Sequence, residues 1–224
     1  KSELASSVPG LPQAEPSLKI TYVQPKDFTG LLRYVRNILV VTIDPTAYTK
    51  VSVGYENNVW ARGQVVVSLK APNTESIVEY SKTHEKALVD FFVKVEMNRA
   101  IEQLQKEYSM VVMDNLKSDL NVMLNAPANF TYYKDTTDFF WSSNNANTGR
   151  MDLIVYTFPY TDPNTFTEEY LVAKRDSVLK ANLPGSFPGS YMQTETRAGV
   201  EYTPITLNGK YCLSLIHISE PTRR

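Results

Sequence analysis

Few residues in this chain have the type and spacing that chemistry demands. Cys212 is the single cysteine, and a thiol nucleophile needs a base beside it. His84 is the only histidine within residues 1–212. We read Cys212 as an ordinary strand cysteine, and His84, which falls on the apolar stripe of a helix, as a satisfied, partly buried imidazole rather than a general base. Glu96 and Arg99 stand three apart with Asn98 beside them; such a pair either grips a polar ligand or holds a neighbouring loop. Lys174, Arg175 and Asp176 pose the same choice, and a solvated helix face is expected there. Trp60, Tyr132, Tyr133, Trp141, Tyr156 and Tyr160 are the best material for a binding groove, because aromatic rings stack on sugars or peptides while offering a hydroxyl or indole donor. Trp60, Glu96, Arg99, Trp141 and Tyr160 are therefore the candidate ligand-binding residues.

Other signatures fail on spacing. Gly209-Lys210 is followed by Tyr211 and lacks the upstream glycine of a phosphate loop, and no G-x-G-x-x-G occurs. Gly185-Ser186-Phe187-Pro188-Gly189 places its serine one position early for a nucleophile elbow. A lone cysteine excludes an internal disulfide and a cysteine zinc cluster, so no metal, no cofactor and no catalytic residue is assigned. With 23 basic against 24 acidic residues and no Lys/Arg-rich run, nucleic acid is not an expected partner. No apolar run approaches the ~20 residues of a membrane-spanning helix.

The periodicities predict an α+β fold: a mixed β-sheet packed against a long helical region and a second helix, two-layered and sandwich-like. Residues 18–24 alternate as a strand, Asp27 is placed to cap a short helix holding Leu31, Leu32 and Val35, and the nearly continuous apolar run at 37–44 reads as a central strand covered on both faces. Strands follow at 51–55 and 63–70. Asn73 then caps a helical region whose apolar residues recur every three or four positions from Ile77 to Tyr108, with a bend near Thr83 and a further helix at 110–117. Residues 121–125 suggest a short strand. Residues 139–141 and 152–158 form a hairpin, both faces of the second strand reading as buried, around a turn at Asn147-Thr148-Gly149. Thr165 and Glu168 have capping-box spacing, with Asp162-Pro163 a competing start, and Phe166, Tyr170, Ala173, Ser177 and Ala181 make the apolar stripe of the helix that follows. A last strand region at 199–211 is interrupted at Pro204 and turned at Asn208-Gly209.

Val8-Pro9-Gly10-Leu11-Pro12, Glu96-Met97-Asn98-Arg99, Asp138-Phe139-Phe140-Trp141 and the run from Pro159 through Asn164-Thr165-Phe166-Thr167 to Lys174-Arg175-Asp176-Ser177 resemble, in the same order, an uncharacterised family of Bacteroidetes putative lipoproteins. The resemblance implies an export signal, a lipid-modified cysteine and an opening strand ahead of Lys1, and a strand-rich region after Cys212. It implies a cell-envelope location, lipid-anchored on the extracytoplasmic side, and carries no activity, ligand or catalytic residue. Residues 213–223, LSLIHISEPTR, resemble a transposon-type sequencing adapter translated in frame. Setting aside residues 213–224, with their two arginines and one glutamate, changes the net charge from −1 to −2.

The expected organisation is one bipartite domain over 1–212, incomplete at both ends, with a sheet lobe at 1–72, a helical region at 73–118 and a second sheet lobe at 119–212 holding the helix at 165–182. Residues 213–224 are then a non-native tail. Two functions are compatible with this reading: a non-catalytic envelope lipoprotein that binds or scaffolds an envelope protein, glycan or peptide, and an extracytoplasmic hydrolase-like enzyme using carboxylates. The first is preferred, because no nucleophile, base and orienting group fall together.

Overall fold

The computed structural model describes residues 15–185, 187–195, 199–217 and 219–221. The proline-rich motif at 8–12 and Ser186 lie outside the described residues. The chain forms two compact units, one comprising Ser17–Phe158 and the other Pro159–Arg224. The α+β class holds, and the strands divide among four small sheets.

In the first unit, β1 (Asn37–Ile43), β2 (Ser52–Asn57) and β3 (Val65–Ala71) form a sheet in the order β1-β3-β2, with β1 parallel and β2 antiparallel to β3. The apolar run at 37–44 is thus an edge strand. The central place belongs to β3, most of whose residues are buried, whereas Val41 and Ile43 on β1 are each 47% exposed. A short apolar run cannot by itself distinguish the two positions, and the β2–β3 hairpin together with the parallel approach of β1 decides the order. Residues 18–24 form no strand; they lead into 3-10 turns at Pro25–Asp27 and Gly30–Tyr34, the second preceded by Thr29 rather than capped by Asp27.

Asn73 accepts a 2.9 Å hydrogen bond from Ser76 N and opens α1 (Thr74–Lys106). The expected bend is present: His84 has non-helical φ and ψ of −119° and 16°, and the Thr83 hydroxyl donates to the carbonyls of Glu79 and Tyr80. Such back-bonding competes with the helical ladder and bends it. Leu88, Val89 and Phe92 are buried, and Phe92 meets Val65 and Val67 of β3 in one core cluster. The second cluster joins Val112 and Leu116 of α2 (Met110–Asp119) to Ala126, Phe130 and Phe140. Residues 121–125 form no strand, because their polar groups return to the helices: Val122 N donates to Leu116 O and Asn125 Nδ2 to Leu104 O.

Phe140 belongs to β5 (Phe139–Ser143), the middle of an antiparallel meander with β4 (Tyr132–Thr136) and β6 (Asp152–Tyr156). The predicted β5–β6 hairpin is present, although β6 is half-buried rather than buried. Its loop takes positive φ at Asn145 and Gly149, not at Asn147, while Asn144 Oδ1 accepts from the amides of Ala146 and Met151.

In the second unit, Asp162 caps a 3-10 turn at Pro163–Phe166 and Thr167 caps α3 (Glu168–Asn182), its hydroxyl accepting from Tyr170 N. The capping-box reading of Thr165 is therefore corrected: Thr165 sits inside the preceding turn, 3% exposed. The helix face is corrected too. Leu179 is buried and Leu171, Val172, Arg175 and Val178 are half-buried, whereas Ala173, Ser177 and Ala181 are exposed. The larger side chains win the buried face because burial gain follows apolar area. β7 (Met192–Thr194) pairs with β10 (Ser219–Pro221), and β8 (Val200–Leu207) with β9 (Lys210–His217) around Asn208-Gly209, both at positive φ. Pro204 does not interrupt β8; it pairs opposite Leu213, as a two-stranded ribbon, all edge, allows. β9 runs through Cys212 without a break.

Candidate functional site

Glu96 and Arg99 act on Asn37. Arg99 Nη1 donates to Glu96 Oε1 at 2.7 Å and to Asn37 Oδ1 at 2.8 Å, Asn37 Nδ2 donates to Glu96 Oε1 at 2.6 Å, and Arg99 Nη2 donates to Arg36 O at 3.2 Å. The Arg36 carbonyl also accepts from Val65 N of β3. Arg99, 17% exposed in its side chain, is thus pinned against the start of the β1–β3 ladder. These two residues hold an element in place, the second of the alternatives open to them.

Trp60 stands at the same end of the sheet, in the β2–β3 connection, through a residue that sequence reasoning missed. Gln64 is 1% exposed, its Nε2 donating to Arg33 O at 2.6 Å and Val35 O at 2.7 Å while its Oε1 accepts from Trp60 N at 3.0 Å. A buried amide that finds three backbone partners fixes the approach to β1 and the turn before β3 together. The Trp60 ring meets Phe28 edge-on at 5.4 Å and remains partly exposed. Nothing in the local pattern around Gln64 announces this role, since two of its three partners, Arg33 and Val35, lie about thirty residues upstream.

Trp141 lies on the meander, its Nε1 donating to Asp152 Oδ1 at 3.0 Å, and Asp152 is also bound by Arg150. Tyr132 and Tyr133 at the far end of β4 are exposed. On the same strand the Asp135 carboxyl is held above its ordinary value, first by burial and then by its hydrogen bond to Asp119 at the end of α2. The Asp119 carboxyl is lowered, first by the Ser118 hydroxyl, which donates at 2.6 Å, and then by Asp135. Two carboxyls within hydrogen-bond reach share a proton in this way. Sequence reading missed the pair because the two residues come from separate elements.

His84 is exposed rather than partly buried; its ring stacks on Tyr80 at 4.0 Å and Nδ1 lies 2.9 Å from Thr83 Oγ1. The kink turns it off the buried stripe. Among the described residues no three His, Cys, Asp or Glu side chains converge on a metal position. Cys212 is half-buried in β9.

In the second unit Tyr160 is 63% exposed and packs at 5.4 Å against Phe166, which meets Tyr211 at 6.3 Å. Tyr202 donates its hydroxyl to Phe166 O at 2.6 Å. The Lys174 to Asp176 run is not a solvated face. Asp176 accepts from Thr194 N and Thr194 Oγ1 and pairs with Arg175 at 2.9 Å, tying α3 to β7. The candidate residues thus fall into separate places: Trp60, Glu96 and Arg99 at one sheet end, Trp141 on the meander, and Tyr160 in the other unit.

Residues 1–105 match the model of a domain of unknown function, DUF8532, and residues 109–216 match that of a second, DUF4837. Both matched families are domains of unknown function, and each match covers just under half of the chain. No curated protein and no solved structure matches it. The two matches part in the short link between α1 and α2, ahead of Ser109, whereas the compact units part at Phe158. Among the described residues no helix is long and apolar enough to cross a membrane.

Proposed function

We propose that this protein is a non-catalytic binding or scaffolding component of the cell envelope, held on the extracytoplasmic side by a lipid anchor. One observation carries the binding reading. The charged and amide groups best placed for chemistry, Asn37, Glu96, Arg99 and Asp176, bind one another or the chain's own backbone, while aromatic rings are left exposed. Groups committed to structural bonds are not free to move protons, whereas exposed aromatics offer contact area at low entropic cost. The envelope location and anchor rest on the family resemblance. They are tested by expressing the full gene in its source organism with an alkyne-bearing palmitate: label in the membrane fraction supports the anchor, and unlabelled soluble protein refutes it.

A second reading, a hydrolase with carboxylate chemistry, is favoured by the Asp119–Asp135 pair, in which one carboxyl stays protonated more readily than the other. Turnover on a panel of glycosides and esters, abolished by Asp135→Asn, would establish it. Equal background hydrolysis by both forms supports the binding reading.

A further inference from the structure

We propose that the second unit carries a recognition site for a compact organic cation, an alkylated or quaternary ammonium group, in the corner made by Tyr160, Phe166 and Tyr211 beside the carboxylates of Glu168 and Glu169. The inference rests on the binding reading above and gives it a ligand class.

The rings are unusually available: Tyr160, Phe166 and Tyr211 are 63%, 47% and 64% exposed, although Phe166 contacts both tyrosines. Burial therefore does not explain the cluster. Their arrangement discriminates between ligands. A flat sugar face wants a coplanar platform, but Phe166 is inclined 45° to Tyr160 and 78° to Tyr211, so the electron-rich faces point along different directions. Tilted rings give a sugar no flat platform, whereas each exposed ring still attracts a compact cation through its quadrupole.

The corner is preformed. Phe166 closes the 3-10 turn capped by Asp162, its carbonyl is tied by the Tyr202 hydroxyl, and Thr167 immediately starts α3. Tyr202 and Tyr211 lie on the two paired strands of one ribbon. Two carboxylates follow Phe166 closely in the chain. Glu168 and Glu169 occupy the first turn of α3 and have no ion-pair partner among the described residues. They contribute, after burial and Tyr211, to holding the Tyr202 phenol above its ordinary value. A cation entering the corner gains from rings and carboxylates at once; a neutral ligand of equal size gains only contact.

The test is a calorimetric and NMR titration of the full chain with Nε-trimethyl-lysine, with its uncharged tert-butyl isostere and with cellohexaose. Saturable binding of the cation is expected, with the isostere weaker by about fivefold or more and Tyr160→Ala and Tyr211→Ala each weakening the cation by about fivefold, as loss of one ring contact implies. Both side chains are largely exposed, so the variants should keep the parent circular dichroism. Glu168→Gln with Glu169→Gln should weaken binding and flatten its salt dependence, whereas Met123→Ala in the first unit should change nothing. Equal binding of the isostere, or cation binding indifferent to the ring substitutions, overturns the proposal. Saturation by cellohexaose without the cation overturns the cation site while leaving the non-catalytic reading intact, and hydrolysis of cellohexaose overturns that reading as well.

Discussion

The Gln64 side chain bonds three backbone groups from a position 1% exposed, and removing a buried partner leaves the others unsatisfied. Gln64→Ala is therefore predicted to cost about 2–3 kcal/mol, measured by urea unfolding of the full chain; a loss within noise would contradict the role assigned to it. Asp135 supplies a prediction with a sign. Burial and then Asp119 raise its carboxyl above the ordinary range, so the folded state binds this proton more tightly than the unfolded chain does. Its contribution is present in full below the ordinary Asp value of about 3.9 and is lost as pH rises through the raised value. Asp135→Asn cannot ionise. Relative to the parent, the variant should gain stability between pH 4 and pH 7, and a difference that stays constant over that interval would contradict the shift.

At the scale of elements, α3 offers a paired test. Thr167 caps the helix and Thr165 does not, so Thr167→Ala should cost about 1 kcal/mol. Thr165 is buried with its hydroxyl unpartnered among the described residues, so Thr165→Val should be neutral or slightly stabilising; the reverse order in thermal melts would restore the capping box. Where sequence was informative, the signal was local. Asn73 and its helix, the kink at His84, α2, the β5–β6 hairpin and the Asn208-Gly209 turn were all legible from caps, period and turn residues. What escaped was tertiary. Whether residues 37–43 lie at an edge or a centre depends on β3, and which face α3 buries depends on Leu179 and β7. Residues 121–125 alternate weakly but spend their amides on α1 and α2. For the candidate site, Glu96 and Arg99 were rightly seen as a pair, yet Asn37, about sixty residues upstream, carries no mark of being their partner.

Across the molecule, the same division recurs in both units. Polar side chains fasten elements together, Arg99 to β1 in the first and Asp176 to β7 in the second, while aromatic rings on the surface remain open to a ligand. Polar pairs hold the fold, and the proposed binding falls to the exposed rings. A single thermal-unfolding experiment on three proteins, each with and without Nε-trimethyl-lysine near the parent's Kd, tests this division, because a ligand that binds only the native state stabilises it by RT ln(1 + [L]/Kd). The parent should show a ligand-induced rise in Tm. Arg99→Ala should start lower, by about 1–3 kcal/mol of stability, and keep the same rise, whereas Tyr160→Ala should start at the parent Tm and lose most of it. An Arg99→Ala protein that melts like the parent but no longer responds to the ligand, with Tyr160→Ala responding in full, would contradict the account.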